Sequence, residues 1–160
     1  GDVDGDGFAD VLVGAYGHDG DAPEQGAVFL YRGGSGGLGT TPDWTATGGD
    51  AGAWLGMAIT GGGDVNGDGF ADVAMVAARP SGVASALVFH GSASGLSSSA
   101  AWYVQGEDAD SDFGATLAAR SIAFAGDLDG DGDVELVVGA HAWGDTNTGR
   151  VYLYEGDPAR

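Results

Sequence analysis

The sequence contains no cysteine and no lysine, and its five basic residues are all arginine. Without cysteine there is no disulfide and no thiolate metal site, and nothing in the chain reports a redox compartment. Arg32, Arg79, Arg120, Arg150 and Arg160 are scattered, and against them stand 24 acidic residues, giving a formal charge of −19. That balance excludes nucleic acid and anionic membrane surfaces as partners, since both are held by clustered Lys and Arg. It favours cations or basic partners instead. No apolar run approaches the ~20 residues that span a bilayer, and no basic segment followed by an apolar one opens the chain, so neither membrane insertion nor a targeting segment is expected.

Glycine is what the chain has in excess: 33 of 160 residues, about three times the ordinary share of ~7%. Each interior glycine costs a helix roughly 1 kcal/mol, so long helices are disfavoured and strands with turns are expected. The apolar fraction of 43% is that of an ordinary globular protein, so a core can form and the acidic composition is not that of a disordered polymer.

A repeat organises the chain. GDVDGDGFADVLVGA begins at Gly1, GDVNGDGFADVAMVA at Gly63 and GDLDGDGDVELVVGA at Gly126, offsets of 62 and 63 residues. Between them GGSGGLGTTPDW, ending at Trp44, returns as GSASGLSSSAAW, ending at Trp102, a shift of 58 that also carries Leu55-Gly56 onto Phe113-Gly114. The five-residue difference is assigned to an insertion around Arg120 to Phe124. A third element is GAVFLYRG from Gly26, SALVFHG from Ser85 and GRVYLYEG from Gly149. Each unit holds four strand-length apolar stretches separated by Gly and Ser turns; in the second copy these are expected near 54–60, 72–77, 84–90 and 101–105. Four strands per unit of ~60 residues is the arithmetic of a β-propeller blade, and a solenoid of such units would leave faces uncovered. The expected fold is therefore all-β, with about two and a half four-stranded antiparallel blades: 1–50 without its first strand, 51–109, and 110–160 without its last. A ring needs at least ~4 blades. Either a longer chain supplies the rest or copies of this one associate.

The strongest chemistry is D-x-[DN]-x-D-G-x-x-[DE], present three times. It brings forward Asp2, Asp4, Asp6 and Asp10 in the first loop, Asp64, Asn66, Asp68 and Asp72 in the second, and Asp127, Asp129, Asp131 and Glu135 in the third. Alternate oxygen side chains around a glycine at position six suit a hard cation, which takes several oxygens at 2.3–2.6 Å on a sharply turned chain. The position-seven carbonyls of Phe8, Phe70 and Asp133 are the expected additional ligands. Twelve of the 24 acidic residues belong to these loops, and three divalent ions would bring −19 to −13. Without a cation such concentrated like charge is costly. Calcium, up to three ions, suits this oxygen-rich set better than magnesium. An EF-hand requires an acid at position twelve and a following helix, whereas Val13, Met75 and Val138 stand there within short β-favouring runs.

These residues resemble FG-GAP repeats, the blades of the propeller at the head of integrin α chains and of many bacterial secreted proteins. Phe113-Gly114 and the weaker Leu55-Gly56 match the first half of the name. Gly14-Ala15-Tyr16, Val76-Ala77-Ala78 and Gly139-Ala140-His141 stand where the family has Gly-Ala-Pro. The resemblance implies structural calcium in the hairpin between a blade's first two strands. It also implies a non-catalytic adhesion or recognition scaffold with a protein or glycan ligand on the opposite face, and extracellular or cell-surface residence. Composition adds an expectation of a bacterial source. A carbohydrate-binding propeller and an accessory propeller of a secreted hydrolase or lyase remain as alternatives.

Nothing assembles a catalytic site. His18, His90 and His141 are scattered, and Asp108, Asp110 and Asp112 read as a solvated loop. Trp44 and Trp102 recur at equivalent positions, as residues packed between blades do; Trp54 and Trp143 are not repeated and are the better candidates for a recognition surface.

Overall fold

In the second copy of the repeat, the run DVAMVA is apolar on every residue but its first, so as a strand it needs cover on both faces. The computed structural model describes residues 1–78, 82–107, 113–114, 121–144 and 148–156, and it supplies that cover. Among the described residues ten strands form three antiparallel sheets. β1 (Val11–Ala15), β2 (Ala27–Tyr31) and β3 (Trp44–Thr47) make the first; β4 (Ile59–Gly63), β5 (Asp72–Ala77), β6 (Ser85–Phe89) and β7 (Trp102–Gln105) the second; β8 (Ile122–Phe124), β9 (Leu136–Ala140) and β10 (Arg150–Tyr154) the third. Each strand pairs with its neighbours in sequence, the up-and-down order of propeller blades. The chain is thus an all-β array of β-propeller blades whose ring is not closed. Among the described residues no helix occurs.

β5 divides its side chains between two cores because successive residues point to opposite faces. Val73, Met75 and Ala77 join Val28, Leu55 and Phe89 on the side of the first sheet; Ala74 and Val76 join Val65, Phe113, Leu136 and Val138 on the side of the third. Burial of each Val, Leu, Met or Phe contributes roughly 1.5–3 kcal/mol, so the blades are held face to face by these layers. Trp44 and Trp102 sit at equivalent joints. Trp44 packs edge-on against Phe89 at 5.1 Å and its Nε1–H donates to the Ser97 carbonyl at 3.0 Å, while Trp102 meets Tyr154 at 6.3 Å.

Two expectations need correction. The first strand of the second sheet is Ile59–Gly63 rather than 54–60: Trp54 and Gly56 adopt φ of 46° and 87°, which breaks the extended run. The strand proceeds instead through Ile-Thr-Gly-Gly-Gly, with a bulge at Gly61 to Gly63. Glycine is needed there because β4 lies against its neighbours at backbone distance; a Cβ on Gly63 would stand 2.6 Å from the Phe124 ring of β8. The additional residues of the third copy lie between Gly114 and Ile122, not at 122–124. Ile122 pairs with Val138 as Ile59 pairs with Met75, so β8 is in the ordinary repeat register.

Candidate metal centre

Loop 1 (2–10) leads into β1, loop 2 (64–72) joins β4 to β5, and loop 3 (127–135) joins β8 to β9. Their short acidic side chains fold the backbone onto itself in the same way each time. At position one, Asp2 accepts the N–H groups of Gly5 at 2.7 Å, Asp6 at 3.2 Å and Gly7 at 2.9 Å. Asp64 accepts those of Asp68 at 3.1 Å and Gly69 at 2.8 Å, and Asp127 those of Gly130 at 2.6 Å and Gly132 at 3.1 Å. At position three, Asp4, Asn66 and Asp129 accept the N–H two residues on, at 3.2, 3.3 and 3.1 Å. At position five, Asp6, Asp68 and Asp131 accept the N–H of Phe8, Phe70 and Asp133 at 2.8, 3.0 and 3.0 Å. These Asx turns bring one carboxylate oxygen each from Asp2, Asp4 and Asp6 within 4.8 Å of one another, and likewise from Asp127, Asp129 and Asp131. Loop 2 has the same turns with the Asn66 amide in the middle; its Nδ2 donates to Asp68 at 3.0 Å. The Gly7 N–H is the main reason the Asp2 carboxyl is held below its usual range, with partial desolvation opposing it.

Position nine anchors each loop. Asp10 accepts the N–H of Val3 at 2.8 Å and of Gly33 at 2.9 Å; Asp72 accepts those of Val65 and Gly91, both at 2.8 Å. Glu135, with its longer arm, reaches the matching Leu128 N–H at 2.6 Å. Asp72 is completely buried. Burial pushes its carboxyl above the ordinary range, opposed by the Gly91 and Val65 N–H groups and the neighbouring His90. Each carboxylate oxygen has a second lone pair, so anchoring leaves capacity for a cation.

The loops are also joined to one another, which the repeat alone did not disclose. The position-eight N–H donates to the position-one carbonyl of the preceding loop: Ala71 to Asp2 at 3.0 Å and Val134 to Asp64 at 2.9 Å. The position-seven side chain lies over the preceding loop's position-four glycine. A Cβ on Gly5 would be 2.8 Å from the Phe70 ring, and one on Gly67 would be 2.5 Å from the Asp133 carboxylate. Phe8, at the same position in loop 1, is 43% exposed. The residue after β2 and β6 also bears on position three. Arg32 Nη1 pairs with Asp4 at 3.1 Å, and His90 Nδ1 lies 3.3 Å from Asn66 Nδ2. Aligning Arg32, His90 and Glu155 ahead of Gly33, Gly91 and Gly156 would have pointed to this in the sequence.

The FG-GAP repeat model matches residues 1–31 and 118–154. Integrin alpha-4 of Xenopus laevis is 30% identical over 141 residues, covering 87% of this chain and 13% of that protein. Integrin alpha-IIb of Mus musculus is 33% identical over 166 residues, 98% of this chain and 15% of its own length, and integrin alpha-E of Mus musculus is 40% identical over 90 residues, 52% and 8%. Over residues 1–31 and 118–154 the chain carries FG-GAP repeats. It spans less than a sixth of these integrins, and because they are vertebrate proteins they lend no support to the bacterial source expected from composition.

The signature residues of the FG-GAP repeat have structural work in this chain. Phe113 is completely buried, meets the Tyr152 ring at 5.2 Å and bridges to Ala140. The Gly114 N–H donates to the Gly139 carbonyl at 2.7 Å, as Gly56 does to Val76 at 3.2 Å. Of the two candidate recognition tryptophans, Trp54 packs against the core. Trp143 carries the Arg150 guanidinium 3.5 Å from its ring centroid and donates Nε1–H to Glu107 at 3.1 Å. Both are engaged by the protein itself. His18 meets Phe29 edge-on at 5.9 Å and, like His141, is exposed in the turn after its strand. Asp108, Asp110, Asp112, Arg79, Arg120 and Arg160 lie outside the described residues.

Proposed function

We propose that this chain is part of a calcium-stiffened β-propeller scaffold for extracellular adhesion or protein recognition, without catalysis of its own. The observation that carries the reading is the threefold recurrence of one oxygen-only donor set on one backbone hydrogen-bond pattern. Carboxylates and an amide from positions one, three and five are already drawn together, and hard oxygen donors fit calcium. Asp2, Asp4, Asp6 and Asp10 would hold the first ion, with the Phe8 carbonyl. Asp64, Asn66, Asp68 and Asp72 would hold the second, with the Phe70 carbonyl, and Asp127, Asp129, Asp131 and Glu135 the third, with the Asp133 carbonyl. The bound ion would neutralise like charge and fix the loops, and through the position-eight hydrogen bonds it would fix one blade against the next. Blades bounded near 1–50, 51–109 and 110–160 follow from the repeat. The exposed apolar residues Val11 and Val13 of β1, and Val151 and Leu153 of β10, are consistent with further blades on both outer faces, from a longer chain or another copy. No described helix is long and apolar enough to cross a membrane, and the integrin relatives support a cell-surface setting; the face away from the loops would carry the protein ligand.

Thermal unfolding with and without calcium tests the reading. Extracellular oxygen-ligated sites bind at ~10⁻⁴–10⁻³ M, so calcium at tenfold that constant stabilises by about 1.4 kcal/mol per site. Three sites would raise the midpoint by roughly 10 °C, at 2–4 °C per kcal/mol for a chain of this size. Chelator should reverse the rise, and an unchanged midpoint at saturating calcium would refute structural metal sites.

A further inference from the structure

We infer that the residue following β2, β6 and β10 sets the cation affinity of the acidic loop beside it, and that Arg32 acts as a brake on loop 1; this rests on the calcium reading above. The register is fixed by the backbone. Gly33 and Gly91 give their N–H groups to the position-nine carboxylates Asp10 and Asp72, so the residue just before each glycine is held alongside the loop. That residue is Arg32 in the first blade, His90 in the second and Glu155 in the third. Two of the three bear directly on position three: Arg32 pairs with Asp4 at 3.1 Å, and His90 faces Asn66 at 3.3 Å.

Arg32 is more than a loose surface charge. Its Nη2 donates to the Ser94 carbonyl of the β6–β7 turn at 2.6 Å, so the second blade holds the guanidinium in place over the first blade's loop. The side chain of Asp4 is only 9% exposed. A cation entering loop 1 must therefore draw Asp4 away from a positioned guanidinium, and must then sit close to its positive charge. Loop 3 has the opposite sign at this register, an exposed glutamate. The three loops share one turn geometry but not one electrostatic setting, and calcium affinity in such loops follows ligand charge and rigidity. Loop 1 thereby becomes the last to fill and the first to empty, although all four of its acidic positions are aspartate.

Calorimetric calcium titration of the intact chain tests this directly. Arg32→Gln should tighten one class of sites about three- to fivefold, the upper range for a partly exposed ion pair, while Arg32→Lys, which retains the charge, should stay near wild type. The gain should vanish when loop 1 is disabled by Asp6→Ala, the closing comparison of a double-mutant cycle. Glu155→Arg, which places a cation at the same register of loop 3, should weaken one class of sites by a similar factor and provides an independent arm if Arg32→Gln fails to fold. Calcium sites of unchanged affinity in both Arg32→Gln and Glu155→Arg, or a gain that persists with Asp6→Ala, would overturn the inference and leave the calcium reading standing. Absence of calcium binding to the wild-type chain would overturn both.

Discussion

Replacing Asp72 by asparagine separates the anchoring role of position nine from any metal role, provided it is done in chelator. Asp72 is completely buried, and its two oxygens accept the Val65 and Gly91 N–H groups at 2.8 Å. Asparagine retains the shape but turns one acceptor into a donor, so one of those N–H groups loses its partner with no water to replace it. A lost charge-assisted bond together with an unsatisfied buried donor costs several kcal/mol gross. Relief from burying a charge offsets part of it, leaving about 2–3 kcal/mol, or a midpoint lower by roughly 5–10 °C. Asp10→Asn removes the same chemistry from a half-exposed position, where solvent can intervene, and should cost about 1 kcal/mol. Denaturant unfolding of both variants in chelator measures the contrast, and a loss for Asp72→Asn no larger than for Asp10→Asn would refute the argument. The pH dependence gives a second check. Burial raises the Asp72 carboxyl above its ordinary 3.8, so the folded state holds that proton more tightly than the unfolded chain does. The group's contribution to stability is therefore full below 3.8 and declines as pH rises through the folded value. The wild-type advantage over Asp72→Asn should shrink in that direction and not grow.

Two further outcomes follow from packing. Gly5 and Gly7 both have positive φ, 72° and 89°, but a Cβ on Gly5 would strike the Phe70 ring whereas one on Gly7 meets nothing within 4 Å. Both alanine variants should lose about 1 kcal/mol to backbone strain; Gly5→Ala should lose about 1 kcal/mol more, and equal losses in chemical denaturation would deny the loop-to-loop contact. Phe113→Ala should cost about 3–5 kcal/mol as a core cavity. Tyr152→Phe should be neutral or slightly stabilising, because the Tyr152 hydroxyl is buried without a hydrogen-bond partner among the described residues; a loss above 1 kcal/mol on thermal unfolding would contradict that assignment.

What the sequence determined by itself is whatever a local pattern can encode. The acidic repeat, its glycine at position six and the β-favouring run after it were legible because turn chemistry and strand alternation act over a few residues, and the doubled Trp44 and Trp102 marked the joints between blades. The start of the second sheet was not legible: the apolar residues near Trp54 suggest a strand, while the actual strand runs through three glycines that only close approach to Phe124 and β1 makes intelligible. The role of Asp10 and Asp72 as loop anchors depends on the Gly33 and Gly91 N–H groups, about twenty residues away, which no spacing within the motif reveals. The tertiary structure alone decided that Phe70 covers Gly5 and that Ala71 and Val134 link successive loops. These are contacts between residues one repeat apart or across a blade, set by how sheets stack and not by the chemistry of any single loop.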